Sequence, residues 1–378
     1  MNYIDPVSHA QYGIDVPRWC SETGGYLNLG LSSGLRRAQI NSNCFSVWRY
    51  AHAIAVDASQ AVSMGEGWTP MVMGVWNGLS VRFKLEYMMP TGSFKDRGMT
   101  VMVSYLKQRG IQSVLEDSSG NAGASLSAYA AAAGMHCRIL VPETASYPKI
   151  AQIAAGGADV RTIRGTRQAV ADAAMQMSQE IFYASHNWQP FFVEGTKTLA
   201  YELWEQLGFQ APDNVVVPLG YGSNVLGCER GFSELFRNGE IKKMPRLFGV
   251  QASHCAPYFN CWQAGVEHLL PTTIMPTIAE GIASSKPTRV IEVLQAIRQS
   301  GGEIVAVSEQ EIVTALGTLA RQGFYVEPTA AAAAAGLSQL IKAGVIAGDQ
   351  TTVLALTGTG LKSSEKIGEL LGLGARGD

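Results

Sequence analysis

At 378 residues the chain exceeds the usual size of one domain, so two domains around separate cores are expected, and its 47% hydrophobic and 16% charged residues are those of an ordinary globular protein. Its 29 basic and 31 acidic residues leave a formal net charge of −2 with no block of like charge, which argues against a nucleic-acid partner or an acidic membrane surface. The most apolar stretches are alanine-rich and much shorter than a membrane span.

The first residues, MNYIDPVSHAQYG, lack the basic and apolar regions of a signal peptide, so a soluble, cytoplasmic protein is expected. The cysteines Cys20, Cys44, Cys137, Cys228, Cys255 and Cys261 form no C-x-x-C pair, and scattered thiols suit a reducing compartment. From there the chain alternates. Runs that read as buried strands fall at 81–87, 113–117, 137–143, 158–163, 214–220, 246–252, 303–308 and 351–358. Helical patterns lie between them, as at 94–109, 122–134, 196–207 and 309–322. This alternation predicts an α/β fold of mostly parallel twisted sheets with helices on both faces. Ligands of such sheets sit beyond the carboxyl ends of the strands, so strand-to-helix turns are the places to look for a site.

Four turns qualify. The first, P-T-G-S-F-K-D-R-G at 90–98, opens a helix at about Ser93 and puts Lys95 in its first turn. The positive end of the helix dipole disfavours a cation there, a setting that suits a Schiff-base amine; an exposed surface lysine is the other reading of this feature alone. The second, D-S-S-G-N-A-G-A-S at 117–125, offers small residues and backbone N–H groups to a flat or anionic ligand, with Asn121 able to donate to a ring oxygen. A plain helix cap at Ser119 or Asn121 would look the same. The third, P-L-G-Y-G-S-N-V-L-G at 218–227, can cradle a phosphate on backbone N–H groups and the Ser223 hydroxyl. Its G-x-G-x-x-x-x-G spacing is not the dinucleotide fingerprint, and Gln251 ends the next strand where a ribose-binding acid is wanted, so the turn predicts phosphate and not NAD. The fourth, T-G-T-G-L-K at 357–362, places a hydroxyl at a strand terminus, with a simple turn as the alternative.

In this order the four turns resemble those of the fold-type-II pyridoxal-phosphate enzymes, and within that group the chain is most similar to threonine synthase and its relatives. The resemblance covers most of the protein, from W-R-Y-A-H-A-I at 48–54 and G-E-G-W-T-P at 65–70, through E-G-T-K-T at 194–198, A-E-G-I-A at 279–283 and V-E-P-T-A-A-A-A at 326–333, to Lys362. It implies a role for each position. Lys95 would carry pyridoxal 5'-phosphate as a Schiff base and then move the proton at the substrate Cα. Asn121 would bind the cofactor's phenolic oxygen, and Gly220, Tyr221, Gly222, Ser223 and Asn224 its phosphate end. Thr357 would face the pyridine nitrogen, where a hydroxyl weakens the electron sink and suits elimination or replacement better than transamination. Ser93, Ser118 and Ser119 would contact the substrate carboxylate, and His186 and Phe192 would lie in the substrate site.

Three departures from the family pattern bear on the substrate. The stretch before Glu194 reads H-N-W-Q-P-F-F-V at 186–193, with Phe192 in the place of a phosphate-gripping arginine and His186 as the residue able to become cationic. Ala122 stands where relatives have a threonine or serine, and Thr359 where the last motif has a histidine. The segment around Cys20 resembles a zinc ribbon whose second cysteine is Thr23, and one thiol cannot hold a tetrahedral zinc, so no metal is expected.

These features lead to a lyase or synthase that eliminates or replaces a group on an amino-acid side chain, with an altered site for a substrate phosphate. A large cofactor domain is expected from 1–98 and 190–378, a small substrate domain from 99–189, and a homodimer as the assembly. The alternatives are threonine synthase acting on O-phosphohomoserine, a serine or threonine dehydratase, an ammonia-lyase or a racemase on the same fold, and a regulatory homologue that binds the cofactor without turnover.

Overall fold

The computed structural model describes residues 1–373 except Thr144, Ser146 and Thr166, with 147–149 described by their backbone. The chain divides into two compact units, Met1–Trp68 with Met89–Leu199 and Thr69–Met88 with Ala200–Asp378. This division places 1–68 and 89–98 in the unit that holds 99–189, whereas the expected domains placed 1–98 with 190–378.

In the first unit a four-stranded parallel sheet runs in the order Asp159–Ile163, His136–Pro142, Ser113–Glu116, Phe182–Tyr183. Successive strand residues point to opposite faces. Val114, Ile139 and Val141 accordingly join one core with the helices Lys95–Gln108 and Asn121–Ala133, while Leu115 and Leu140 join another with Val170 and Ala174 of the helix Arg167–Met177. Both faces are covered, which is why these strands read as apolar runs rather than as alternation. A three-stranded antiparallel sheet of Gln11–Gly13, Asn2–Ile4 and Asn28–Leu29 is added by the N-terminal segment. It is tied in through Tyr3, whose hydroxyl donates to the Tyr105 hydroxyl at 2.7 Å, and through Phe191, which stacks on Tyr105 with centroids 3.7 Å apart.

The second unit is built on a six-stranded sheet in the order Ile304–Val307, Arg246–Ala252, Asn214–Pro218, Thr352–Ala355, Leu79–Lys84, Met71–Trp76. Five strands are parallel and the edge strand Met71–Trp76 is antiparallel. Adjacent residues of one strand locate the helices. A Cβ on Gly249 would lie 3.2 Å from Ile297 of the helix Val290–Ser300, and a Cβ on Gly336 of the helix Pro328–Lys342 would lie 2.4 Å from Val250. Gly249 and Val250 face opposite ways, so the two helices cover opposite faces. The expected α/β class and the eight expected strands are present, displaced by a few residues at their ends. The helix expected over 196–207 is present as Thr198–Gln206, and a further helix, Pro190–Thr196, directly precedes it. Among the described residues no helix is long and apolar enough to cross a membrane.

The helix that begins at Lys95 is held against Pro190–Thr196 by two glycines. A Cβ on Gly195 would fall 2.1 Å from the Arg97 carbonyl oxygen, and one on Gly98 would fall 2.4 Å from the Phe192 ring. Backbone cannot give way as a side-chain tip can. Gly195→Ala should therefore lower stability by about 1–3 kcal/mol or more, read as an earlier urea midpoint; an unchanged midpoint would mean that the two helices do not meet this closely in solution.

Candidate active site

In the first unit the loop before Lys95 is fixed by one carboxylate. Asp96 is fully buried and accepts hydrogen bonds from the Thr91 backbone N–H at 2.8 Å, the Thr91 hydroxyl at 2.5 Å and the Ser125 hydroxyl at 2.5 Å. Ser125 lies in the helix that starts at Asn121, so the same carboxylate ties the turn of Lys95 to the turn of Asn121. Gly92, at φ +82°, takes a conformation that side chains rarely adopt. Lys95 is half-buried, its Nζ 4.6 Å from the centroid of the Phe94 ring and 5.4 Å from that of Phe192. The buried Ser93 hydroxyl has no hydrogen-bond partner.

The second turn is equally constrained. A Cβ on Gly123 would lie 1.9 Å from the Ser118 carbonyl oxygen, so the chain can fold back there only with glycine. The helix Asn121–Ala133 has Gly120 as its N-cap and no side-chain cap, and Ser118, Ser119 and Asn121 are partly accessible. A small ligand can therefore reach the start of this helix.

His186 and Phe192 come to the same place. The buried rings meet edge to face with centroids 5.4 Å apart, and Phe192 in turn faces Lys95. His186 donates its backbone N–H to Glu116 Oε2 at 3.1 Å, and its Nδ1 lies 3.3 and 3.4 Å from the two Glu116 oxygens. Burial, reinforced by the positive charges of Lys95 and Arg167, holds the imidazole well below its ordinary value of 6.5. The ring is neutral at physiological pH, and the cationic character allowed for it on the sequence is not available. Glu116 moves the other way: burial first, and then the neighbouring Asp117 charge, push its carboxyl well above 4.5. Asp117 accepts from the Tyr183 hydroxyl at 2.7 Å and from Arg167 at 2.6 Å. Glu116, Asp117 and Arg167 were passed over in the sequence; the signal they left is two consecutive carboxylates at the end of a buried strand.

Three further basic residues of this unit, Lys197, Arg161 and Arg164, could be asked to hold a substrate phosphate. Lys197 is fully buried, with its Nζ 2.6 Å from Glu194 Oε1 and 2.8 Å from the Ala53 carbonyl oxygen. Arg161 is exposed and paired with Asp159 at 2.8 Å, and Arg164 is exposed on the loop after the strand Asp159–Ile163. Around Cys20, Thr23 donates to Asp5 at 3.1 Å, and among the described residues no group of three His, Cys, Asp or Glu could hold a metal ion.

In the second unit the strands Asn214–Pro218 and Thr352–Ala355 are parallel neighbours, so the turns after them leave the same end of the sheet. Gly222, at φ +95°, caps the helix Ser223–Arg237 with no side-chain cap bond. The turn is pressed on two segments: a Cβ on Gly222 would lie 2.3 Å from Val293, and one on Gly220 would lie 3.1 Å from the Gly281 carbonyl oxygen. Tyr221 accepts at its carbonyl from the Tyr258 hydroxyl at 3.2 Å. Among the described residues Asn224 Oδ1 and Thr357 Oγ1 are buried without hydrogen-bond partners, as is the hydroxyl of Ser284, just past the A-E-G-I-A motif. Orphaned buried polar atoms are uncommon and call for a ligand. An uncapped helix N-terminus with a close-packed glycine turn fits a phosphate, and the orphaned hydroxyl and amide fit the polar edge of a ring.

The comparisons with known proteins agree with this chemistry. Residues 62–358 match the family model described as pyridoxal-phosphate dependent enzyme. The chain belongs to that family. It is 35% identical to the threonine synthase of Methanocaldococcus jannaschii over 368 residues, covering 94% of this chain and 91% of that protein. It is 36% identical to the threonine synthase of Mycobacterium tuberculosis over 312 residues, covering 80% and 84%. The solved structure of threonine deaminase isoform 2 from Solanum lycopersicum shares the fold with a TM-score of 0.69 at 20% identity, over 95% of this chain and 96% of that one. The protein is thus a pyridoxal-phosphate-dependent enzyme of the threonine synthase type, and its cofactor is pyridoxal 5'-phosphate.

The neutral imidazole sets a pH dependence. As pH falls below about 6.5, the ordinary histidine value, the unfolded chain takes up a proton that folded His186 refuses, so acid removes stability. The slope is at most about 1.4 kcal/mol per pH unit. Glu116 acts in the opposite sense, because its stabilisation is complete at low pH and lost as pH rises through its raised value. His186→Asn should flatten the fall in urea-unfolding free energy between pH 6.5 and 5; a slope as steep as that of wild type would refute the neutral buried ring.

Proposed function

We propose that the enzyme eliminates or replaces a group on the side chain of an amino acid that carries no phosphate, with Lys95 as the residue that holds the cofactor. One observation carries the substrate part of this reading: where a phosphate-gripping arginine is expected, Phe192 lies beside a histidine that is neutral. Arginine binds phosphate through a planar fork of charged donors, and a charge-assisted contact of this kind is worth about 1.5–3 kcal/mol. Neither ring supplies one.

The cofactor, when bound, supplies an electron sink for the substrate Cα. The protein does the rest. Lys95 takes and returns the proton at Cα, and its place in the first turn of a helix keeps the amine from being stabilised as a cation by the backbone. Ser93, Ser118 and Ser119 hold the substrate carboxylate; the buried Ser93 hydroxyl without a partner supports this role. Asn121 binds the ring's phenolic oxygen. Gly220, Tyr221, Gly222, Ser223 and Asn224 would take the phosphate end through their N–H and hydroxyl donors, and Thr357 would face the pyridine nitrogen, a role that its orphaned hydroxyl supports. The second reading is threonine synthase itself, and it is favoured by the names of relatives at 35% and 36% identity. A homodimer in the cytoplasm accompanies either reading.

Two experiments test the proposal. Borohydride reduction and peptide mapping should place the cofactor on Lys95, and Lys95→Ala should lose the Schiff-base absorption and several orders of magnitude of turnover; label on any other lysine ends the assignment. Steady-state assay should find O-phosphohomoserine a poor substrate, and efficient threonine formation with a micromolar Michaelis constant would restore the second reading.

A further inference from the structure

The side chain of Ser284 is 3% exposed, and among the described residues its hydroxyl has no hydrogen-bond partner. A hydroxyl cut off from water loses its hydration and regains nothing until another group pairs with it. The path of the chain around Ser284 shows where such a group belongs. Ser284 follows the short turn Glu280–Ile282, and its backbone N–H donates to the Ile282 carbonyl oxygen at 2.8 Å. That turn rests on the glycine turn of the same unit: a Cβ on Gly220 would lie 3.1 Å from the Gly281 carbonyl oxygen and 3.2 Å from Ile282 Cα. At Val293 the chain comes back to the same place, 2.3 Å from a Cβ on Gly222. Ser284 therefore lies in a loop anchored on both sides to the turn that opens the helix Ser223–Arg237. The Gly281 backbone N–H, donating to the Thr329 hydroxyl at 3.0 Å, also ties this loop to the helix Pro328–Lys342.

We propose that Ser284 is a further residue of the cofactor site, its hydroxyl donating to an oxygen of the cofactor's phosphate. This rests on the reading that the turn at 220–224 takes that phosphate. The helix N-terminus offers N–H groups and the positive end of its dipole from one segment. A phosphate has three strong acceptor oxygens, more than one turn of backbone fills, and Ser284 brings a donor from a second segment. The desolvation of this hydroxyl is already complete in the folded chain, so no water has to be stripped from it when the phosphate arrives. Two effects of opposite sign follow. Without cofactor the hydroxyl is a buried group that destabilises the fold; with cofactor it is a hydrogen bond to a charged acceptor, among the stronger kinds. A serine kept for packing or for a contact inside the protein would show neither the difference in sign nor any dependence on the phosphate.

The test compares two ligands that differ only in the phosphate. The full-length chain is freed of cofactor with hydroxylamine and titrated with pyridoxal 5'-phosphate and with pyridoxal, each followed by its Schiff-base absorption. Ser284→Ala should weaken the affinity for pyridoxal 5'-phosphate roughly 10-fold or more and leave that for pyridoxal within about twofold of wild type. Urea unfolding supplies a second readout. The midpoint of the cofactor-free variant should equal or exceed that of wild type, while the gain in midpoint on saturation with pyridoxal 5'-phosphate should shrink. Equal losses for the two ligands, or a lower midpoint without cofactor, would make Ser284 a structural residue and overturn the assignment. So would an unchanged affinity for pyridoxal 5'-phosphate joined to a weaker affinity for the amino acid, which would give the hydroxyl to the substrate. Ser223→Ala, in the turn itself, separates this failure from failure of the underlying reading. If it alone loses the preference for the phosphorylated ligand, only Ser284 is misassigned; if neither variant loses it, the phosphate is held elsewhere and both assignments fall.

Discussion

Much of the first unit depends on how one buried carboxylate is satisfied. An ion with no access to water must be matched by hydrogen bonds or it destabilises the fold by several kcal/mol. Asp96 meets that demand with a backbone N–H and two hydroxyls drawn from the turn before Lys95 and from the helix after the S-S-G-N turn. Meeting it fixes the position of two turns at once. The next turn of the same helix then presents Gly98 to Phe192 and the Arg97 carbonyl to Gly195, so the helix Pro190–Thr196 can approach in one way only. Lys95, Phe192 and His186 are neighbours because Asp96, Gly98 and Gly195 leave them little choice.

Within that frame electrostatics divides neighbouring groups by role. Asp117 is paired with an arginine and a tyrosine hydroxyl. Glu116, one residue earlier and without a cation of its own, keeps its proton more strongly, and His186, between burial and two positive charges, gives its proton up. A carboxyl that holds its proton next to an imidazole that refuses one supports the proposal that the substrate side chain is neutral and not a doubly charged phosphate. Lys197, the cation closest in sequence, does not alter this, since its charge is spent on Glu194 inside the core.

The second unit follows a different logic, that of the parallel sheet. Strands that run the same way put their following turns at one end, and that end gathers the glycine turn at 220–222 and the Thr357 hydroxyl. The cost of this arrangement is visible in Asn224 Oδ1 and Thr357 Oγ1, each buried with no partner, where a missing bond is typically worth about 1–3 kcal/mol. A ligand that brings a phosphate and a polar ring edge repays such groups, and pyridoxal phosphate has both.

What the amino-acid order determined by itself was whatever depends on near neighbours in the chain. Strands buried on both faces show as apolar runs such as N-V-V-V-P, and their turns show as glycine and small polar residues, because backbone conformation and burial pattern are written locally. The order of the four turns carried the family as well. Contacts across the fold were decided only by the tertiary structure. Lys197, between the helices Pro190–Thr196 and Thr198–Gln206, sends its side chain into the core to Glu194 and the Ala53 carbonyl oxygen. The antiparallel edge strand Met71–Trp76, apolar in sequence as M-V-M-G-V-W yet exposed along much of its length, was not among the expected strands, and its pairing with Leu79–Lys84 is what marks it. His186 was legible as a candidate substrate residue and Glu116 was not singled out, and the charge state of neither was legible. Whether a histidine is a cation or a neutral ring is set by desolvation and by the charges packed around it, and those come from Lys95 and Arg167, residues far from it in the chain and brought near by folding.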